Sequence, residues 1–184
     1  MIESTIRKVQ DLSNLRGVVM AEVSELDEKM SDVIRHHYVL NATEDLIKTF
    51  HGHIIKKHEE RLKKEIKGCG KQEMTCYHKW KDMSIEDIIH VMDASQMAKA
   101  VNYIIPQELY TPSRANFFED YKAEIIEIRN QLAHCTSKTE QDKEVLITRQ
   151  GDKTFDDADI KEIRRSILKY SGIFTRLLQK VPLS

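Results

Sequence analysis

Apolar residues recur every three or four positions along most of the chain, which is the spacing of amphipathic helices. The first such segment, Ile2–Tyr38, predicts one long helix, or two helices broken near Gly17. A second segment, Asn41–Ile66, predicts another long helix that Asn41 caps and Gly68 ends. The buried face of the first segment consists of Ile6, Val9, Leu12, Val19, Val23, Leu26, Met30, Val33 and Ile34.

The second half of the chain continues the helical pattern. Ser84-Ile85-Glu86-Asp87 resembles a capping box and predicts a helix start. The stretch Asp93–Tyr110 is ambiguous and is compatible with a short helix followed by a turn at Pro106. A long helix is predicted from Ser113 to about His134. Its predicted apolar face consists of Phe118, Tyr121, Ile125, Ile128 and Leu132.

A change of period marks the region before the last helix. Val145–Thr148 and Thr154–Phe155 flank the turn Arg149–Lys153, which predicts a small β-hairpin. Asp156 or Asp157 then caps a final helix that ends near Lys180. Its inward residues are predicted to be Ile160, Ile163, Ile167, Phe174 and Leu177. The predicted class is all-α, a helical bundle with long antiparallel helices and a small β-hairpin before the last helix.

Composition narrows the class of protein. The chain has 184 residues, enough for one domain with its own core. Only 3 prolines and 6 glycines are present, which argues against an all-β fold. The formal net charge of −1 means that any nucleic-acid binding must come from a local patch. Three cysteines do not suggest a disulfide framework, and no secretory signal or membrane span is visible, so a cytoplasmic location without membrane association is expected.

The segment Arg129-Asn130-Gln131-Leu132-Ala133-His134 carries the strongest chemical signal. It combines a fixed cation, an amide and a group that titrates near neutral pH. Asn130 and His134 are four residues apart, so they share one face of a helix. Arg129 precedes Asn130 by about a quarter-turn. These three residues are therefore the predicted catalytic set.

Such a set suits the cleavage of RNA without a metal ion. The ribose 2′-hydroxyl serves as nucleophile, and histidine can act as the base or the acid near pH 7. Arginine stabilises the negative charge that develops on the phosphate oxygens, while Asn130 orients His134 or a phosphate oxygen. A single histidine cannot be both acid and base in one simple step. A two-fold dimer would supply a second copy of His134 across one groove.

Arg129-Asn130-x-x-x-His134 resembles the Arg-x4–6-His signature of the HEPN superfamily (higher eukaryotes and prokaryotes nucleotide-binding domains). The long preceding helix, the break after the histidine and the final amphipathic helix also resemble that architecture. The resemblance implies one HEPN-like domain over residues 1–184. Its motif-bearing part is 84–180, and the N-terminal helices of 1–80 match only weakly.

Many HEPN proteins are dimeric, metal-independent endoribonucleases that serve as toxins or anti-phage defence effectors. The resemblance therefore implies cleavage to a 2′,3′-cyclic phosphate without a cofactor, with Arg129 and His134 catalytic, Asn130 supportive and a regulatory protein or RNA as a further partner. Thr136 replaces the tyrosine that partner antitoxins modify in some HEPN toxins, which puts that mode of control in doubt. The alternative is a non-catalytic protein of the same type that binds RNA, a nucleotide or a partner.

The remaining candidates concern RNA contact and metal binding. Lys138 and Arg149 lie close to the motif in sequence and are predicted to contact the RNA backbone. The basic run 56–71 interleaves with glutamates and is typical of a solvated helix face. Cys69, Cys76 and His78 lack the spacing and the fourth ligand of a zinc site, so no metal site is predicted.

Overall fold

The structure is a computed structural model of the chain. It describes residues 2–41, 86, 89–90, 92–114, 116–140 and 143–179. The described part is mostly helical with one small antiparallel sheet, so the predicted helical class is confirmed. Several predictions lie outside the described residues. They are the helix Asn41–Ile66, the basic run 56–71, the cluster of Cys69, Cys76 and His78, and most of the segment that Ser84 was predicted to cap.

The first helix, α1, spans Ile2–Asn41 without interruption. The sequence left open a break near Gly17, but the apolar stripe continues on both sides of this exposed glycine, and burial of that stripe outweighs its cost of about 1 kcal/mol. Seven of the predicted face residues have described side chains, and all are buried. They are Leu12, Val19, Val23, Leu26, Met30, Val33 and Ile34.

The ambiguous stretch after residue 92 contains a second helix, α2, over Ala94–Ile104. Asp93 caps it: its carboxylate accepts from the main-chain N–H of Gln96, whose side chain in turn accepts from the N–H of Asp93. A single 3-10 turn follows at Gln107–Leu109. The predicted short helix and turn are thus both present.

The motif helix, α3, begins at Phe117 rather than at Ser113 as predicted. Asn116 is its N-cap and accepts from the N–H of Glu119 at 3.0 Å. The carboxylate of Asp120 accepts from the main-chain N–H of Ser113 and from its hydroxyl, at 2.9 and 3.0 Å. These bonds hold Ser113 in the preceding loop, so the helix starts four residues later.

A π-helical segment interrupts α3. The helix consists of Phe117–Tyr121, the π-helical Lys122–Ile126 and Glu127–Ala133, and His134 is its C-cap. The wider turn brings Ile125 and Ile126 both onto the buried side. The buried residues of α3 therefore differ in part from the predicted face: Phe118 and Ile128 are half-buried, and Phe117 is buried instead.

Three strands follow α3 where a two-stranded hairpin was predicted. They are β1 (Thr136–Glu140), β2 (Lys143–Ile147) and β3 (Thr154–Phe155), paired antiparallel in the order β1-β2-β3. The extra strand β1 was not predicted, because its five exposed residues contain no apolar alternation. Main-chain pairing with β2 forms it, with Thr136 opposite Ile147.

The last helix, α4, spans Asp157–Gln179 and starts where predicted. The carboxylate of Asp156 accepts from the N–H groups of Ala158 and Asp159, which identifies Asp156 as the N-cap. All five of its predicted inward residues are buried, together with Tyr170 and Ile173. The five are Ile160, Ile163, Ile167, Phe174 and Leu177.

The directions of the described helices agree only in part with the predicted antiparallel arrangement. Glu22 pairs with Arg164 and Lys29 donates to Ser171, so α1 and α4 run in the same direction. The motif helix α3 runs the opposite way: Arg129 contacts Asp27 of α1, whereas Cys135, just beyond the end of α3, contacts the earlier residue Arg16. Its Tyr121 also packs against Tyr170 of α4. The sheet explains this arrangement, since it carries the chain from the end of α3 to the start of α4 at the same end of α1.

Candidate functional site

The three predicted catalytic residues lie in the last turn of α3. The side chains of Asn130 and His134 are exposed, while that of Arg129 is 27% exposed. His134 has φ −107° and ψ 7°, so the helix ends at this residue as predicted. On a helix, positions 129 and 134 are about 140° apart around the axis. Arg129 is therefore directed towards α1, whereas Asn130 and His134 face solvent.

Asp27 of α1 binds Arg129. Its Oδ2 accepts from Nη1 of Arg129 at 2.9 Å, and the two side chains are 24% and 27% exposed. Burial raises the pKa of Asp27, and the guanidinium of Arg129 opposes that rise. The other four N–H donors of Arg129 have no partner among the described residues, so the guanidinium can still receive a second anion.

A buried tyrosine lies close to this ion pair. Tyr121 is fully buried and its hydroxyl has no hydrogen-bond partner among the described residues. The Oδ1 atom of Asp27 is likewise buried and unpartnered. Burial and the negative charge of Asp27 both raise the pKa of Tyr121, so this phenol stays neutral. The face of α3 towards α1 thus combines a charged pair with two polar atoms that have lost water.

The end of α3 carries further contacts. Arg16 of α1 donates from Nη1 to the carbonyl of Cys135 at 2.7 Å. Lys153 donates from Nζ to Oε1 of Gln131 at 3.0 Å, and its ammonium lies 4.8 Å from the centre of the Phe155 ring. Two cations from distant parts of the chain therefore flank the residues on either side of His134.

The predicted RNA contacts are both exposed but differ in their surroundings. Lys138 lies on β1 opposite Val145, on the outer face of the sheet, and its Nζ is 3.4 Å from Oε1 of Glu140. Arg149 lies in the turn between β2 and β3 and has no carboxylate partner among the residues that the structure describes. The structure thus places Lys138 beside an acid and Arg149 on an open turn.

A second polar centre holds the loop before α3. Asp120 is fully buried, and its Oδ2 accepts from the hydroxyls of Tyr110 and Ser113 and from the main chain at Ser113. Burial raises the pKa of Asp120, but these hydrogen bonds outweigh burial and lower its pKa overall. The carboxylate is occupied by its own loop, which makes it a structural anchor for Phe117 and the start of α3.

Two grooves on the described surface do not contain the motif. A groove of about 610 Å³ between α3 and α4 is lined by Glu124, Lys169 and Lys153 among others. Another, of about 690 Å³, lies beside Arg35. In the described part of the chain, no group of three or more His, Cys, Asp or Glu side chains could hold a metal ion. Of the helices described, none is long and apolar enough to cross a membrane.

Sequence reasoning did not identify Asp27, Arg16 or Lys153. Asp27 is 102 positions from its partner Arg129, and Arg16 is 119 positions from Cys135. No local sequence pattern could therefore predict either contact. Comparison with known proteins adds no assignment: the chain matches no protein-family model, no curated protein and no solved structure.

Proposed function

We propose that the chain is a metal-independent endoribonuclease of the HEPN type whose active site contains Arg129, Asn130 and His134. The observation that carries the proposal is the exposed pair of Asn130 and His134 at the solvent-facing end of α3, with Arg129 on the same helical turn. An exposed imidazole at a helix end can approach a bound polymer, and a buried one could not. By the same resemblance, the biological role proposed is that of a toxin or defence effector in the cytoplasm.

The proposed reaction is an internal transesterification. A base removes the proton of the ribose 2′-hydroxyl, whose oxygen attacks the adjacent phosphorus. The bond from phosphorus to the 5′-oxygen breaks, and an acid protonates that leaving oxygen. The products are a 2′,3′-cyclic phosphate and a 5′-hydroxyl, and no metal or redox step is required.

His134 acts as one of the two proton-transfer groups, and its copy in a two-fold dimer acts as the other. Arg129 stabilises the negative charge on the phosphate through the donors that Asp27 leaves open. Asn130, one turn before His134, holds the imidazole or a phosphate oxygen by hydrogen bonding. The dimer is part of this proposal because one protomer offers a single histidine in the motif.

The test is cleavage of a labelled RNA in EDTA by the wild type, His134→Ala and His90→Ala. His90 is an exposed histidine outside the motif, so it is a matched control. We expect cleavage by the wild type and by His90→Ala, with termini that carry the cyclic phosphate, and a loss of at least about a hundredfold in His134→Ala. Equal cleavage by His134→Ala would reject the assignment of the site.

A second candidate is a protein that binds RNA, a nucleotide or a partner without cleaving RNA. The ion pair between Asp27 and Arg129 favours it, because the carboxylate offsets part of the charge that catalysis would use. The direction of Arg129 away from His134 also favours it. The same assay separates the two candidates: RNA that is bound by the wild type but left intact, with and without the His134 imidazole, supports the binding role.

A further inference from the structure

Two cations converge on the residues around His134 from parts of the chain that lie far apart. Arg16 contacts the carbonyl of Cys135, the residue after His134, and Lys153 contacts the side chain of Gln131, one turn before it. Both positive charges also act on the buried Cys135 thiol, whose pKa burial raises and these two cations oppose. The two contacted residues are themselves joined, because the thiol of Cys135 donates to the carbonyl of Gln131 at 3.3 Å.

Arg16 and Lys153 differ from several other cations of the chain in having no ion-paired carboxylate partner among the described residues. Arg129 is paired with Asp27 and Arg164 with Glu22, whereas neither Arg16 nor Lys153 forms an ion pair within the described part of the chain. Arg16 is half-buried and uses one of its five N–H donors; Lys153 is exposed. Their positive charge is therefore available to an anion that approaches the end of α3.

Two carboxylates lie in this region, and both already have partners. Glu144 accepts from the main-chain N–H of Leu12 at 3.3 Å and from the hydroxyl of Ser137 at 2.5 Å. Asp152, next to Lys153 in the chain, accepts from the hydroxyl of Thr148 at 2.5 Å. Neither is within ion-pair distance of Arg16 or Lys153 among the described contacts. Asp152 interacts electrostatically with Lys153 without forming an ion pair, so it offsets only part of that charge.

The free carbonyls at the end of α3 do not require both cations as hydrogen-bond donors. One cation at a helix C-terminus satisfies a free carbonyl and complements the helix dipole, and Arg16 alone does this for α3. Lys153 instead donates to a side-chain amide, that of Gln131, and to no helical carbonyl among the described contacts. Lys153 thus adds a positive charge beside Gln131 that the helix end itself does not use.

We propose that Arg16 and Lys153 together bind the phosphodiester backbone of a single-stranded RNA beside His134. The planar fork of Arg16 presents two parallel donors to a phosphate, and the ammonium of Lys153 supplies a point charge. The choice of RNA as the polyanion rests on the function proposed above. Under this assignment Arg129 contacts the reacting phosphate, while Arg16 and Lys153 bind flanking phosphates and fix the register of the strand.

The test uses a fluorescent 2′-O-methyl RNA, which lacks the nucleophile and so stays intact with the wild-type chain. Its affinity is measured by anisotropy over a range of salt concentrations for the wild type and for the double variant Arg16→Gln/Lys153→Gln. Each lost phosphate contact should lower the slope of log K against log salt by about 0.7, hence about 1.4 for the pair. We expect affinity at low salt to fall by about tenfold for each contact.

The matched control is Arg176→Gln/Lys99→Gln, which removes the same two charges elsewhere. Arg176 also donates to a main-chain carbonyl, that of Gly172, and Lys99 also lies over an aromatic ring, that of Phe118. The control should retain the wild-type slope. An equal loss in both double variants would show a general charge effect and overturn the proposal, as would a wild type that does not bind the probe.

Two further readouts keep the outcomes distinct. If Arg16→Gln fails to fold in a thermal melt, the exposed Lys153→Gln alone should still lose about 0.7 of the slope, and no loss would overturn the proposal. Cleavage of unmodified RNA is measured in parallel. If neither substitution changes the rate of cleavage, the proposed ribonuclease activity is retained and this phosphate site is rejected. If the salt slope falls as expected but the wild type cleaves no RNA, the phosphate site is supported and the ribonuclease activity is rejected.

Discussion

Asp27 of α1 and Arg129 of α3 form an ion pair, with 2.9 Å between Oδ2 and Nη1, that joins the predicted site to the first helix. The Oδ1 atom of the same carboxylate is buried without a partner among the described residues. Removal of the guanidinium would therefore leave a carboxylate that burial already disfavours. The pair makes Arg129 structural as well as a candidate for chemistry, and any loss of activity at Arg129 has to be separated from a loss of stability.

A double-mutant cycle makes that separation. We expect Arg129→Gln and Asp27→Asn each to lower the free energy of unfolding by about 1–3 kcal/mol, because each leaves the other group unpaired in a partly buried position. The double variant should cost less than the sum, with a coupling of about 1–2 kcal/mol. Urea denaturation of the four proteins measures it. The more exposed pair of Glu22 and Arg164 is the control, with a coupling below about 1 kcal/mol.

Two buried tyrosines provide an opposed pair of substitutions. Tyr110 donates its hydroxyl to Asp120, whereas the hydroxyl of Tyr121 has no partner among the described residues. Tyr110→Phe should lower the free energy of unfolding by about 1–3 kcal/mol, because the carboxylate loses a donor. Tyr121→Phe should leave it unchanged or raise it by about 1 kcal/mol, because a desolvated hydroxyl disappears. Thermal unfolding of both variants measures these changes in stability. Destabilisation by Tyr121→Phe would contradict this account.

Stability at acid pH should depend on Asp120. Its pKa is lowered from the ordinary value of 3.8 in the folded chain, so its contribution is complete above that value and is lost as pH falls through the lowered pKa. Asp120→Asn should cost about 2–3 kcal/mol at pH 7, where the ionised carboxylate accepts four hydrogen bonds. Urea denaturation at pH 7 and at about pH 3 compares the two proteins. The difference should shrink at the lower pH, and a constant difference would mean that the charge does not matter.

The two predicted RNA contacts should differ in strength. Arg149 has no carboxylate partner among the described residues, while Lys138 lies 3.4 Å from Glu140. Arg149→Gln should lower the salt slope of binding to single-stranded RNA by about 0.7, and Lys138→Gln by less, because part of its charge is already offset. Anisotropy titrations with 2′-O-methyl RNA measure both. A larger effect at Lys138 would show that the strand crosses the outer face of β1.

Residue periodicity predicted α1 and α4 well, because burial of one stripe dominates a long amphipathic helix. It could not predict the π-helical turn at Lys122–Ile126, whose extra residue changes which side chains face the core. Strand β1 was also missed. Its exposed residues carry no pattern of burial, and main-chain pairing with β2 defines it.

The candidate site was predictable only in its local part. Asn130 and His134 lie one turn apart, so their common exposed face followed from helix geometry. The partners of that turn come from residues far away in the chain: Asp27 for Arg129, and Arg16 for Cys135. Such contacts depend on how the helices pack, and the spacing of residues along the sequence does not predict them.

The parallel packing of α1 on α4 has a consequence for synthesis of the protein. Glu22 meets Arg164 across 142 positions of sequence, so the helix that covers this side of α1 leaves the ribosome long after α1 itself. At about 5–20 residues per second, α1 waits roughly 7–30 s for that partner. During this time the side of α1 that α4 covers in the folded chain lacks that partner. Ribosome-bound chains stalled before Asp157 should accordingly be sensitive to proteases along α1, and chains that include all of α4 should be protected.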